Sequence, residues 1–297
     1  MQIQEIHAKT ALHFHKHAYA TNWDINTYRG CAHQCAYCFA RYSHEYLPSK
    51  NFFGDLFVKT NLPEVLDQEF SKRSWKKSIV NLCGVTDPYQ PLERQYRLMP
   101  DILKVFIKHK NPIMITTKST LILRDLPLLK ALNKVASVEV FFSISMANES
   151  IRKVLEPHAT PSIGRLHALK ILAKNEINTN VLLMPIIPYL TDSLENLEYV
   201  FSNAVRFGAK QIHCAVLHLR EKKYFYSVIK KYFSRIFYPL QSLYSGSYVN
   251  KSYLDIIKNR VRLLREKYHF FQPSNLPFKP QSSPQLLLDL PQQEQPN

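Results

Sequence analysis

An alternation constrains this chain more than any other feature. Six short β-type runs fall at residues 22–29, 78–83, 112–117, 138–145, 180–187 and 211–217, separated by stretches with apolar residues at helical spacing. The runs are rich in Val, Ile, Phe and Thr, and segments such as IMIT and VEVFFSI are almost wholly apolar. Strands of that kind are usually buried on both faces, which implies a parallel sheet. Residues 98–109 place Ile102, Val105, Phe106 and His109 at helical spacing, and residues 127–135, 162–173 and 193–207 follow the same pattern. Asp192 or Ser193 is suited to cap the last of these, and Gly208 to close it. Strands alternating with helices predict an α/β chain, either an open doubly wound sheet or a partial barrel of the (β/α) type. In both, chemistry belongs at the carboxyl ends of the strands.

The texture changes after Leu217. Residues 220–270 hold 12 Lys/Arg against 3 Asp/Glu, a local charge of +9, with Tyr and Phe interleaved among the cations. From Gln272 onward the chain is rich in Pro, Gln and Ser, a composition that predicts disorder. The expected organisation is an N-terminal extension at 1–20, the strand–helix repeat at 21–219, a basic and aromatic helical extension at 220–271 and a tail at 272–297.

The 297 residues carry a net charge of +16, with 45% hydrophobic and 21% charged residues. That balance suits a globular protein large enough to fold without disulfides. The longest apolar run, residues 181–190, contains Pro185 and Pro188 and is about half a membrane span, which excludes a transmembrane helix there. The N-terminus lacks the charged and apolar regions of a signal peptide, so a cytoplasmic location is expected. Five cysteines in a chain of that location argue against a disulfide framework. The charge excess favours a polyanionic partner.

Three of the cysteines sit in GCAHQCAYCFAR as Cys31-x3-Cys35-x2-Cys38, at the end of the first β-type run. Thiolates so spaced converge on one metal centre. Structural zinc wants four ligands, and only His33, inside the loop, stands near as a fourth. The alternative is a [4Fe–4S] cluster with three cysteine ligands and one open iron.

The spacing, with an aromatic at Tyr37, resembles the motif of the radical SAM superfamily. NTYRGCAHQCAYCFARYSHEYL, GVTDPYQPLER, TTKSTLILRDLPLL, FSIS, LEPHATPSIGRLHALKIL and MPIIPYLTD resemble its spore photoproduct lyase-like branch, whose members are often labelled DNA repair photolyases. The similarity runs from about Asn26 to Asp192 and fades after it. Thr27 stands where the branch commonly has Pro, and Phe39 where it commonly has Tyr; neither is in the ligand set. The resemblance implies a partial (β/α)6 TIM-like barrel with a C-terminal helical extension. It also implies a [4Fe–4S] cluster on Cys31, Cys35 and Cys38, S-adenosylmethionine, and an external one-electron reductant such as flavodoxin or ferredoxin. Reductive cleavage of S-adenosylmethionine would give a 5′-deoxyadenosyl radical that abstracts hydrogen from the substrate.

The resemblance also assigns roles around the cofactor. Tyr37 matches the aromatic near the adenine. Thr86 and Asp87 follow the second strand, where the methionine amino group is contacted; an Asp–Pro turn explains the same residues without a cofactor. Lys118 ends the third strand and is placed to pair with the methionine carboxylate, or is a surface Lys at a strand end. Ser143 and Ser145 would share one face of the fourth strand, with Ser143 at the ribose hydroxyls. Arg165 resembles an Arg directed at the carboxylate, against a solvated helix residue. Cys83 is next to the position of a cysteine hydrogen donor in spore photoproduct lyase. Aligning the turn puts that donor at Gly84, and a one-residue shift on a strand reverses the side chain, so Cys83 is a catalytic donor or a small core residue. Cys214 is expected in the core. His13, His15 and His17 alternate and would share a face if extended, with no carboxylate nearby in sequence.

The basic and aromatic segment fits a nucleic acid, DNA first, with cations on phosphates and rings stacked on bases; the competing expectation is rings packed inward beneath a solvated basic face. Gln285-Leu286-Leu287-Leu288-Asp289-Leu290 loosely resembles the peptides that dock repair proteins on a sliding clamp. The alternatives are a radical SAM enzyme modifying RNA or protein, and a non-catalytic Fe–S or zinc DNA-binding protein.

Overall fold

The structure, a computed structural model, describes residues 2–16, 21–47, 51–82 and 84–270. Cys83, His17 and the tail with its clamp-like peptide lie outside the described residues.

The strands are β1 (Gln2–Ile6), β2 (His13–Phe14), β3 (Trp23–Ile25), β4 (Tyr28–Arg29), β5 (Asp55–Lys59), β6 (Val80–Leu82), β7 (Ile113–Thr117), β8 (Val138–Ser143), β9 (Asn178–Ile186) and β10 (Gln211–Val216). The α-helices are α1 (Leu62–Phe70), α2 (Glu93–Tyr96), α3 (Leu98–His109), α4 (Leu126–Asn133), α5 (Glu149–Leu155), α6 (Ser162–Lys174), α7 (Leu194–Phe207), α8 (Lys222–Tyr232), α9 (Phe237–Ser242) and α10 (Lys251–Tyr268). The main sheet has the order β10-β9-β8-β7-β6-β3-β2, and all its pairs are parallel except the β2–β3 edge.

Each of the six expected runs contains a strand of this sheet. Their order follows the chain without a reversal, so the crossovers share one sense and the helices form one layer. A doubly wound sheet needs a switch point in strand order, which this sheet lacks. The fold is therefore the partial barrel, left open because β10 and β2 do not meet.

The first run, residues 22–29, divides. β3 pairs with β6 inside the barrel, while β4 turns out and pairs with β5 in a second sheet of order β1-β5-β4. Asn26 and Thr27 make the break: Asn26 Oδ1 accepts from Val85 N at 2.7 Å, and Thr27 O accepts from Lys59 N at 3.2 Å.

The strands are largely apolar on the face beneath the helices and mixed on the other. Ile115, Val140, Phe142, Val181 and Leu183 are fully buried under the helical layer. Register places Asn81, Met114 and Glu139 on the opposite, inner face. Thr116, Leu182, Met184 and His213 are half-buried there. The expectation of strands buried on both faces holds in part: Met114, Phe141 and Asn180 are buried on the inner face as well, among half-buried groups of a mixed lumen. Cys214 is in the core, as expected.

Helix ends follow local chemistry. Ser193 Oγ accepts from Asn196 N and caps α7, and Gly208, at φ 90°, ends it in the left-handed conformation that glycine adopts without strain. After the barrel, α8 to α10 form a helical extension, tied back where Tyr253 Oη donates to Asp192 Oδ2 at 2.7 Å and Tyr244 Oη donates to Leu217 O at 2.9 Å. Many of its aromatics are therefore packing residues: Phe225 and Tyr244 are buried, while Tyr232 and Tyr238 stay exposed. No helix among the described residues is long and apolar enough to cross a membrane.

Candidate active site at the cysteine loop

The cysteine loop leaves β4 through Gly30, whose φ of 78° is left-handed. A Cβ there would stand 2.8 and 2.9 Å from the Phe52 and Asp55 carbonyl oxygens, so glycine is required twice over. Two tight turns follow, with Gln34 N donating to Cys31 O at 3.4 Å and Cys38 N to Cys35 O at 3.1 Å.

Two neighbouring elements clamp the loop. From the turn after β6, Thr86 Oγ1 donates to Gly30 O at 2.8 Å. Gln90 Nε2 donates to the same oxygen at 3.2 Å, while Gln90 Oε1 accepts from Ala32 N at 2.8 Å. From the end of α5, Leu155 O accepts from Ala36 N at 2.8 Å. Gln90 lies inside the GVTDPYQPLER segment, but only the tertiary contact marks it as a support of the loop.

Cys31 and Cys35 are buried and Cys38 is half-buried; all three are free thiols. Burial pushes each thiol up to about 12, and each feels at least one of the other two. Among the described residues no three His, Cys, Asp or Glu side chains are gathered tightly enough to hold a metal ion. Three neutral thiols on one loop are nevertheless a donor set that a cluster deprotonates as it binds, so ligation and final loop geometry are coupled. Burial holds the His33 imidazole down to about 4, and its Nδ1 faces Asp87 Oδ2 at 3.4 Å.

Asp87 is a hub between strand ends. Its Oδ1 accepts from Tyr89 N at 2.9 Å and Thr117 Oγ1 at 2.8 Å, and its Oδ2 accepts from Lys118 N at 2.7 Å. These bonds lock the β6 turn to the end of β7. They also set the backbone of Lys118, whose ammonium lies 5.9 Å from the Tyr37 ring centroid. Burial lowers the Lys118 ammonium, but the Cys35 sulfur and the Glu156 carboxylate outweigh it and hold it above its ordinary value.

Glu156 joins the site without having been singled out in the sequence, although the LEPHATP segment containing it was. It follows α5 and is 0% exposed, as is Arg165 on α6. Its two oxygens accept from Tyr37 Oη and from Arg165 Nη2. Arg165 Nε and Nη1 donate to Thr160 O at 2.6 Å and Ser143 O at 2.7 Å. Burial alone would raise the Glu156 carboxyl, but Arg165 and Lys118 overcome it and hold it below its ordinary value. The signal available in the sequence was indirect: the cations expected at 118 and 165 need a carboxylate once buried.

β8 ends at Ser143, so Ser145 lies beyond the strand rather than alternating within it. Ser143 Oγ donates to Met184 O at 3.0 Å. Ser145 Oγ is buried with no hydrogen-bond partner among the described residues. An orphaned hydroxyl at the carboxyl end of the sheet is what a site awaiting a polar ligand presents.

The Radical SAM superfamily model matches residues 25–198. The chain belongs to the radical SAM superfamily. Uncharacterised proteins of Mycobacterium tuberculosis (strain ATCC 25618 / H37Rv) and Methanocaldococcus jannaschii are similar to it. The first is 33% identical over 89% of this chain and 80% of the relative. The second is 30% identical over 80% of this chain and 85% of the relative. Among solved structures, spore photoproduct lyase complexed with dinucleoside spore photoproduct superposes with a TM-score of 0.64 at 15% identity, covering 90% of this chain and 79% of that one. At that identity the likeness is one of fold. Radical SAM enzymes use a [4Fe–4S] cluster and S-adenosylmethionine, and this chain is an enzyme of that class. The residues present fit those groups: three thiols on one loop, two of them buried, a cation that acts on Cys35, and an orphaned hydroxyl beyond the end of β8.

Proposed function

We propose that this radical SAM enzyme acts on a nucleic acid, DNA in the first place, in a lyase-like reaction of the repair type. The observation that carries the proposal is where the basic extension meets the barrel. Arg220 stacks on Tyr42 at 3.9 Å, and Arg41 stacks on Tyr224 of α8 at 4.5 Å. Arg41 and Tyr42 belong to the 3-10 helix Phe39–Tyr46 that directly follows Cys38. The segment of +9 charge therefore begins at the cysteine loop, where a polyanion held by its cations would reach the chemistry. Tyr232 and Tyr238 remain exposed to stack on bases, and Phe39 is exposed beside Cys38.

In this reading Cys31, Cys35 and Cys38 hold the cluster, and Tyr37, Thr86, Asp87, Lys118, Ser143, Ser145 and Arg165 line the S-adenosylmethionine site. Lys118 and Ser145 would meet the ligand directly, since the Lys118 ammonium and the Ser145 hydroxyl make no hydrogen bond among the described residues. Asp87 and Arg165 already spend their bonds on protein groups and act as walls that orient the rest. When bound, the cluster and S-adenosylmethionine supply reductive cleavage of the sulfonium and hydrogen abstraction from the substrate, with electrons from a flavodoxin or ferredoxin type of donor. The protein positions the reactants and excludes water. Residues 21–219 form the catalytic core and residues 220–271 the recognition element. Cys83 is the candidate hydrogen donor.

Anaerobic reconstitution tests this. The expected protein is brown, carries about four irons, and releases 5′-deoxyadenosine when reduced with S-adenosylmethionine. It also binds DNA with an affinity that falls steeply with salt. A colourless zinc protein would sink the catalytic reading, and salt-independent DNA binding the nucleic-acid reading. Deuterium transfer from a panel of DNA, RNA and peptide substrates then names the substrate class.

A further inference from the structure

Away from the cysteine thiols, a buried cation lacks a counter-ion. Lys59 ends β5 and is 5% exposed. Its backbone N donates to Thr27 O, but its ammonium has no hydrogen bond or ion pair among the described residues. Arg29 is half-buried and equally unpartnered. In the antiparallel β4–β5 pair, Arg29 stands opposite Phe57, so Lys59, two residues further on, shares its face as a diagonal neighbour. Two positive side chains thus lie side by side on one face of the small sheet.

The nearby carboxylate does not neutralise them. Asp24 Oδ1 faces His15 Nε2 at 2.9 Å, and Asp24 Oδ2 accepts from Asn26 Nδ2 at 3.2 Å. His13 stands directly opposite Asp24 across β2–β3. Burial, helped by Arg29 and opposed by Asp24, brings the Lys59 ammonium down to about 8. Asp55 shares the face of Lys59 at the far end of β5 and has an interaction of its own. An ammonium buried beside another cation, with the Asp24 carboxylate already engaged by His15 and Asn26, is costly unless something anionic joins it.

The place is the mouth of the barrel. A Cβ on Gly84 would fall 1.7 Å from Asp24 Oδ2, and Asn26 holds Val85 N, so this cluster borders the turn at the carboxyl end of β6. Arg29 directly precedes the cysteine loop. The location joins the small sheet, which the strand–helix repeat does not require, to the site.

We propose that Lys59 and Arg29 form an oxyanion subsite that takes a phosphate group at the β3 side of the barrel mouth. A guanidinium offers paired donors and an ammonium a compact charge, which together suit tetrahedral phosphate oxygens. Only the source of that phosphate, a backbone phosphodiester, rests on the nucleic-acid reading above.

The test uses the full chain and inorganic phosphate. Thermal unfolding is followed in potassium phosphate and in KCl at equal ionic strength. Wild type gains a midpoint rise that grows with the logarithm of phosphate concentration. Lys59→Met loses that rise and, in KCl, unfolds at a higher temperature than wild type because the uncompensated charge is gone. An equal phosphate response in the two proteins, or a lower midpoint for Lys59→Met in KCl, overturns the subsite. A phosphorus NMR titration of wild type covers a variant that does not fold: the phosphate line broadens in the presence of the protein, and an unchanged line overturns the proposal. A short oligonucleotide separates the two readings. Phosphate binding without oligonucleotide binding keeps the subsite and removes the nucleic acid. Oligonucleotide binding that is unchanged by Lys59→Met removes the subsite and keeps the nucleic acid.

Discussion

Replacing Glu156 by alanine is the sharpest test of the buried network beside the cysteine loop. The substitution leaves the Arg165 guanidinium fully buried with Nη2 unpaired, and strips the acceptor from Tyr37 Oη. Breaking a buried ion pair from one side typically costs about 3–5 kcal/mol. Two of the guanidinium contacts, to Thr160 O and Ser143 O, survive, which places the expectation near the lower end, about 3 kcal/mol. Unfolding entropy for a chain of this length is about 0.6 kcal/mol/K, so the midpoint should fall by about 5 °C. The measurement is reversible thermal or urea unfolding of the iron-free protein, independent of catalysis. Adding Arg165→Met in the same chain should recover part of the loss, since the stranded charge disappears; the coupling is expected at about 1–3 kcal/mol. If Glu156→Ala shifts the midpoint by less than about 1 °C, or the two substitutions are additive, the network does not hold the site together as argued.

Three further outcomes follow from the same geometry. Gly30→Ala forces a side chain into a left-handed turn against two carbonyl oxygens, so it should lose stability by roughly 1–3 kcal/mol and bind less iron on reconstitution, read by metal analysis. Lys59 has a folded value of about 8, below the ordinary 10.5, so its charge opposes folding in full below pH 8 and ceases to as pH rises towards 10.5. In phosphate-free buffer wild type should therefore gain on the order of 3 kcal/mol across that window relative to Lys59→Met, measured by urea unfolding at each pH. Cys35→Ala should abolish formation of 5′-deoxyadenosine, whereas Cys83→Ala should leave it intact and lower only substrate turnover, as product analysis by chromatography would reveal.

Much of the barrel was legible because it is encoded locally. Apolar runs marked the six parallel strands, and helical spacing gave residues 98–109, the extent of α3. Capping chemistry placed Ser193 and Gly208. The β1-β5-β4 sheet was not legible: its strands are short, β1 is largely exposed, and pairing across about fifty residues leaves no periodic trace. The mixed character of the lumen escaped for a related reason. A strand such as VEVFFS looks apolar throughout until register shows that Glu139 and Phe141 face one way and Val140 and Phe142 the other.

The sequence by itself determined the repeat, the three thiols on one loop and the uneven charge, because each lies within a few consecutive residues or in a local count. The tertiary structure alone decided which groups neutralise one another. Glu156 meets Tyr37 from 119 positions away, and Asp87 meets Thr117 from 30. It also decided where compensation is incomplete: Lys59 is one lysine among 39 basic residues until folding buries it beside Arg29, with the Asp24 carboxylate engaged by His15 and Asn26. Burial converts charge from a solvated property of the chain into a local demand for a partner, and that demand depends on contacts that no sequence window contains.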